Sequence, residues 1–471
     1  MTARPARTPP ARYDCVVVGA GFAGLAAAAD LGAAGRSVLV VEARDRVGGR
    51  VEAGRVAGHT VDLGGMWAGP TQTALLDLAR RFGVSTYPTW LGGRSRGRLG
   101  DRAVEAEGEA FEDEIGLVSK LRLGLLLHKL GRLLRSVDAE APWAGPHAAA
   151  LDRQTVASWA DREVGDRTVR RLLDFVVRSV FCAESEDLSF LFFLFYLRAA
   201  GGLEVLIQAG PGGAQNLLFE GGLHQVAVRL HEGASAETRL SEPVVAVRQA
   251  GGAVEVETVA GRYAARRVVV AVPPALCGAV EFAPALPAAR VELLKRQVMG
   301  ACVKVWVAYD RPFWREAGLN GSVTDDGAPF SPVYDVTPPG ASVGLLAGFF
   351  DGAAAVEGGA GPGERRGLAV ATLAEHLGPE AARPLAVVER DWTRERWSGG
   401  CYGAYMPPGA LSKYGASLRA PHGRVHWAGT ETATVWSGYV EGALRSGRRA
   451  ASEVLAAERW AARRVDPEAL A

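Results

Sequence analysis

Residues Tyr13–Arg50 read YDCVVVGAGFAGLAAAADLGAAGRSVLVVEARDRVGGR. The apolar run Cys15–Val18 has the length of a strand and leads directly into Gly19-Ala20-Gly21-Phe22-Ala23-Gly24. Leu25–Gly32 is alanine-rich and helical in character, Gly35 marks its end, and Val38–Val41 is a second apolar strand closed by Glu42. This strand, turn, helix and strand supply the context a G-x-G-x-x-G signature needs. Gly19 permits the tight turn, Gly21 lets the backbone approach a pyrophosphate, and Gly24 lets helix and strand pack closely. The helix start then offers unpaired N–H groups to phosphates. Glu42 suits the ribose hydroxyls of an adenosine and disfavours a 2′-phosphate, so NADP is not expected here.

The residues after Glu42 extend the reading from a nucleotide to a longer cofactor. Arg44, Arg46, Gly48-Gly49 and Arg50 form a second glycine-rich turn that carries arginine, and VDLGGMWAGP (Val61–Pro70) adds a third turn beside an apolar strand. Taken alone, Arg44 and Arg46 also suit a solvated surface pair. Nowhere does a second G-x-G-x-x-G occur. A flavin reduced directly by its substrate, without a separate nicotinamide fold, is therefore expected.

Composition excludes several other classes. The 471 residues suggest two or three domains. Their 53 basic and 52 acidic side chains leave no clustered charge of the kind that binds nucleic acid. Five cysteines, Cys15, Cys182, Cys277, Cys302 and Cys401, are scattered without a C-x-x-C pair, and the histidines lack ligand spacing. Neither a disulfide framework nor a metal site is expected, and a reducing cytoplasm fits best. Residues 1–11 form a polar lead-in, not a secretory signal. LSFLFFLFYL (Leu188–Leu197) is too short to span a membrane and reads as a buried helix. Ile115–Leu134, with Lys120, Arg122, Lys129 and Arg132 among leucines, reads as an amphipathic helix packed on a core or lying on a membrane surface. Ser241–Ala275 alternates around Gly251-Gly252 as strand hairpins followed by a buried strand. GRSRG (Gly93–Gly97) formally fits a nucleophile elbow, but two arginines flank Ser95, and a hydrolase is set aside.

Five blocks, in order, resemble the flavin-dependent monoamine oxidases of the FAD-linked amine oxidase family, in a soluble bacterial form. They are EARDRVGGR (Glu42–Arg50), DLGGMWAGPTQ (Asp62–Gln72), RPFWRE (Arg311–Glu316), WSGGCYGAYMPPG (Trp397–Gly409) and WAGTETATVWSGYVEGA (Trp427–Ala443). The resemblance implies a mixed α/β fold, in which a Rossmann-like FAD-binding domain interleaves with a substrate domain of sheet and helices. Residues 12–87, 220–293 and 395–457 would hold FAD; 88–219 and 294–394 would form the substrate domain; 1–11 and 458–471 would be tails.

The resemblance also implies roles. Besides Gly19, Gly21, Gly24, Glu42 and Arg44, the cofactor contacts would be Gly49, Arg50, Gly65, Met66, Trp67, Val244, Trp392, Gly429, Thr430, Glu431, Tyr439 and Val440. Cys401 matches the cysteine joined through sulfur to the 8α-methyl of FAD. Tyr402 and Tyr439 match two aromatic faces before the flavin ring, and Lys304 matches a lysine that holds a water near it. Gln215, Ile207 and Tyr334 would line the substrate pocket with the two tyrosines. Without the resemblance, Lys304 in ACVKVWVAY reads as a solvent-facing lysine on a half-exposed strand, Trp392 as a core residue, and Glu431 as a structural carboxylate.

The implied reaction is oxidation of a small primary amine, aryl-alkyl or alkyl, to an imine and aldehyde, with O2 reduced to H2O2. A tailoring oxidase acting on one C–N bond of a larger metabolite is the alternative. A polyamine oxidase would want cavity carboxylates, and an amino-acid oxidase an arginine, for which Arg178 is the candidate. The C-terminal AAERWAARRVDPEALA lacks the apolar anchor of the mitochondrial enzymes, so a soluble protein is expected, with a homodimer as its candidate assembly.

Overall fold

The computed structural model describes residues 12–109, 114–356 and 361–465. The sequence opening folds as its pattern requires: β1 (Arg12–Val18), helix α1 (Phe22–Ala33) and β2 (Val38–Val41). β1 lies parallel to β2 on one side and to Arg262–Val270 on the other, and both strands bury continuous runs of valine and leucine. Such all-apolar strands belong to a sheet covered on both faces. This eight-stranded sheet continues through the antiparallel ribbon Val244–Ala250/Ala253–Thr258, and Val425–Trp427 joins it beside Arg262–Val270.

α1 has no side-chain cap; Gly21 stands at its N-cap. The helix therefore directs unpaired N–H groups outward at its start. Gly24 sits where no other residue fits, since a Cβ there would stand 1.9 Å from the Gly19 carbonyl oxygen. The long C-terminal helix Val440–Val465 packs along α1. It runs past residue 457, into the stretch expected to be a tail; residues 1–11 and 466–471 lie outside the described residues.

A second, seven-stranded sheet carries Cys302–Tyr309 between Gly344–Asp351 and Ala386–Asp391. All eight residues of Cys302–Tyr309 are buried. The expectation of a half-exposed strand with Lys304 in solvent is thus overturned. Alternation does put Cys302, Lys304 and Trp306 on one face, but that face is covered, with Cys302 and Trp306 packed among Val61, Met66 and Trp392.

Helices form the remaining lobe. Phe190–Ala200 is buried along almost its whole length, as its composition predicts, and stacks against Trp159 and Phe181. Leu117–Arg135 buries only Leu126 and Leu130, while Leu117, Val118, Leu121 and Leu125 stay exposed. Among the described residues, no helix is long and apolar enough to cross a membrane.

Candidate active site

One cavity of about 870 Å³ begins at the β1–α1 turn, passes between the two sheets and ends under the helix Leu117–Arg135. At its first end lie Gly19, Gly21, Glu42, Arg44, Gly49 and Val244. Glu42 is almost fully buried and accepts from the N–H of Ala20 at 2.7 Å and of Arg44 at 2.9 Å. Arg44 is no surface residue: its side chain is 9% exposed, Nε is buried without a hydrogen-bond partner, and Nη2 has only a long ion pair, 3.4 Å from Glu395 Oε1. Guanidinium donors so weakly satisfied on a cavity wall call for an acceptor that sits in the cavity. Together with the bare Gly21 and Gly49 backbones and the uncapped helix, they fit a dinucleotide.

Two predicted contacts, Gly24 and Glu431, do not line the cavity. Gly24 interlocks helix and turn from behind. Glu431 pairs with Arg50, Nη1 to Oε1 at 2.7 Å and Nη2 to Oε2 at 3.3 Å, and accepts from the Ala404 N–H at 3.3 Å. Burial opposes the Arg50 charge, yet Glu431 outweighs it and holds the guanidinium above its ordinary range. Arg50 also donates to the Tyr402 carbonyl at 2.8 Å, so the pair fastens the 401–404 loop to the glycine turn.

Midway, Gly65, Met66, Trp67, Lys304, Trp392, Cys401, Gly429, Thr430 and Val440 form the walls. Lys304 Nζ donates to the carbonyls of Asp62 and Gly64, both at 2.8 Å, and lies 2.9 Å from Met66 Sδ. Burial lowers it to about 8, partly offset by the Asp62 carboxylate. Trp392 is both core and wall: it is buried and donates from Nε1 to the Leu63 carbonyl at 2.9 Å. Cys401 reaches the cavity through Gly399 (φ 72°) and Gly400 (φ 147°), where a Cβ on Gly400 would meet the Gly300 carbonyl at 2.4 Å. Burial pushes the Cys401 thiol up.

Beyond Cys401 the cavity becomes an aromatic chamber. Tyr402 meets Phe349 edge to face at 5.8 Å, Trp67 meets Tyr334 at 5.2 Å, and Tyr439 stands 6.2 Å from Tyr196. Desolvation raises Tyr402, Tyr439 and Tyr334, so all three stay neutral phenols. Gln215 donates to the Leu206 carbonyl at 3.0 Å and leaves Oε1 buried and unpartnered, while half-exposed Ile207 lies toward the outer end. Sequence reasoning missed Phe349, Tyr196 and the carboxylates Glu109 and Glu204, which also line the cavity. Glu204 and Glu109 lie near no recognisable motif, and only the fold brings them here. Arg178, the candidate for an amino-acid carboxylate, does not line the cavity and donates instead to the Asp326 carbonyl at 3.2 Å. Ser95 is buried within a strand and donates to the Ala106 carbonyl at 3.1 Å.

The flavin containing amine oxidoreductase family matches residues 22–455. This chain belongs to that family. It is 39% identical over 457 residues to the flavin-containing monoamine oxidase AofH of Mycobacterium tuberculosis, covering 96% of this chain and 99% of that one. It is 36% identical over 449 residues to flavin-containing amine oxidase A of Equus caballus, covering 94% of this chain and 85% of that one. Among solved structures, putrescine oxidase bound to putrescine superposes with a TM-score of 0.90 at 32% identity, over 95% of this chain and 100% of that one. Cyclohexylamine oxidase from Brevibacterium oxydans IH-35A gives 0.89 at 34% identity, over 95% and 99%. The chain is thus a flavin-dependent amine oxidase.

Proposed function

We propose that this amine oxidase acts on small primary amines, aryl-alkyl or alkyl, with FAD as cofactor and O2 as acceptor, yielding an imine that hydrolyses to an aldehyde, and H2O2. The observation that carries the reading is the aromatic chamber that opens directly beside Lys304 and Cys401. Residues 12–87, 220–293 and 395–457 are proposed to form the cofactor-holding part. In it, Glu42 and Arg44 would hold the adenosine end, and Gly19, Gly21 and the start of α1 the pyrophosphate. Gly429, Thr430, Val440 and Trp392 would flank the remainder.

A bound flavin supplies the two-electron acceptor. The chain does the rest. Trp67, Tyr334, Phe349 and Tyr402 strip water from the amine and leave its nitrogen without a counter-anion, which favours the free base. Tyr402 and Tyr439 present neutral ring faces that orient the C–H bond next to nitrogen. Lys304, held by two carbonyls, is placed to keep a water and move a proton at Nζ. Cys401 is proposed to tether the cofactor as an 8α-thioether.

Following peroxide with tyramine, phenethylamine, benzylamine and putrescine tests the reaction; no peroxide and no flavin bleaching across that panel would overturn it. Acid precipitation tests the tether, because a yellow supernatant over a colourless pellet excludes it. A second reading has one observation behind it: Glu109 and Glu204 on the chamber wall suit the distal ammonium of a diamine. Turnover of putrescine well above phenethylamine would select it.

A further inference from the structure

Behind the chamber, three buried side chains that the proposed reaction does not use come together: Cys182, Cys302 and Asp351. The backbone fixes each one. Cys302 opens the Lys304 strand and stands directly opposite Asp351, the last residue of the neighbouring strand. Cys182 caps the helix Arg167–Phe181 in the left-handed conformation, and its carbonyl accepts from the Ala301 N–H at 2.9 Å. The Gly352 N–H in turn donates to the Ala301 carbonyl at 2.9 Å. Helix end and strand pair are thus laced together around the three side chains.

Their sulfur and oxygen atoms all lie within 4.8 Å of one another, and Cys182 Sγ is 3.4 Å from Asp351 Oδ1. A tetrahedral zinc ion with Zn–S of about 2.3 Å and Zn–O of about 2.0–2.2 Å sets sulfur and oxygen about 3.5 Å apart. Asp351 Oδ2 is buried and has no hydrogen-bond partner. A buried carboxyl left half satisfied is costly, and a cation removes the cost. Arg178, the nearby cation, donates to the Asp326 carbonyl.

We propose that Cys182, Cys302 and Asp351 form a binding site for one zinc ion, with the fourth position open to the cavity that Cys302 lines. Binding joins Zn2+ to two thiolates and a carboxylate and releases the thiol protons to solvent, with no change of oxidation state. Affinity therefore rises with pH. The site pins the start of the Lys304 strand to a helix end.

The flavin-loaded enzyme, reduced and freed of metal by a chelator, is incubated with zinc chloride, desalted and assayed for bound metal. Cadmium is used in parallel to report thiolate ligation through its ultraviolet charge-transfer band. The proposal expects one zinc per chain and a cadmium–thiolate band. Cys182→Ala and Asp351→Asn should each weaken zinc by about tenfold or more, while Cys277→Ala retains it. Flavin absorbance shows that each variant is folded. No retained zinc in the parent enzyme would overturn the site, as would equal retention in Cys182→Ala.

Discussion

Lys304 is a cation held in a covered sheet by two backbone carbonyls and a thioether. Its shift from 10.5 to about 8 makes it a stability term with a definite sign. Above the unfolded value the lysine is neutral in both states and contributes nothing. As pH falls from there toward 8, the unfolded chain takes up the proton first, and the folded state is penalised by about 3 kcal/mol, constant below. Lys304→Met carries no such penalty. Its stability relative to the parent should therefore improve by about 3 kcal/mol between pH 11 and pH 8, measured by denaturant unfolding, although its turnover falls; a pH-independent difference would refute the assignment. Glu431 illustrates the opposite case, a charge with a close partner. Glu431→Gln leaves Arg50 half-buried without its counter-ion, and unfolding titrations should show a loss of about 3 kcal/mol.

Among the elements, the β1–α1 turn is the most demanding. A methyl group on Gly24 would overlap the Gly19 oxygen, so helix and turn would have to separate. Gly24→Ala should purify without flavin colour while Gly35→Ala, whose Cβ would meet nothing, stays yellow apart from mild backbone strain. This element was legible in the sequence because its signals are local: a turn motif, a helix and two strands within one short stretch. So was the buried helix Phe190–Ala200, whose apolar run has no polar face. The Lys304 strand was misread from its residues alone because alternation reports which residues share a face, and says nothing of what covers that face. The amphipathic helix Leu117–Arg135 packs on a core along one face, as its spacing implied. Leu126 and Leu130 are buried and Leu123, Leu133 and Leu134 pack partly buried beside them, but the sequence did not show that Leu123, Leu126 and Leu127 also roof a cavity. The three-residue cluster of Cys182, Cys302 and Asp351 was invisible, because it is assembled from distant segments by strand pairing and a helix end.

At the scale of the molecule, the chain shuttles between its two large sheets, and specific ties hold its parts together. Lys304 bonds to the backbone at Asp62 and Gly64, Arg390 pairs with Glu52 at 2.9 Å, and Arg50 pairs with Glu431. Parts joined in this way cannot melt separately. Far-ultraviolet circular dichroism and flavin fluorescence should therefore report a single coincident thermal transition; two resolved steps would show that the parts are independent.

The ring-lined chamber also makes acidity act as a form of rationing. If only the uncharged amine is accommodated among Trp67, Tyr334, Phe349 and Tyr402, then each pH unit below the amine's own pKa removes about nine-tenths of the usable substrate at fixed total amine. Across ring-substituted benzylamines of similar size, kcat/KM for total amine should climb with pH and level off at each compound's own pKa. A common plateau for all of them would instead implicate a group on the enzyme. With such a chamber, the supply of free base alone would slow the enzyme in an acidifying cell, with no regulatory ligand and no moving part.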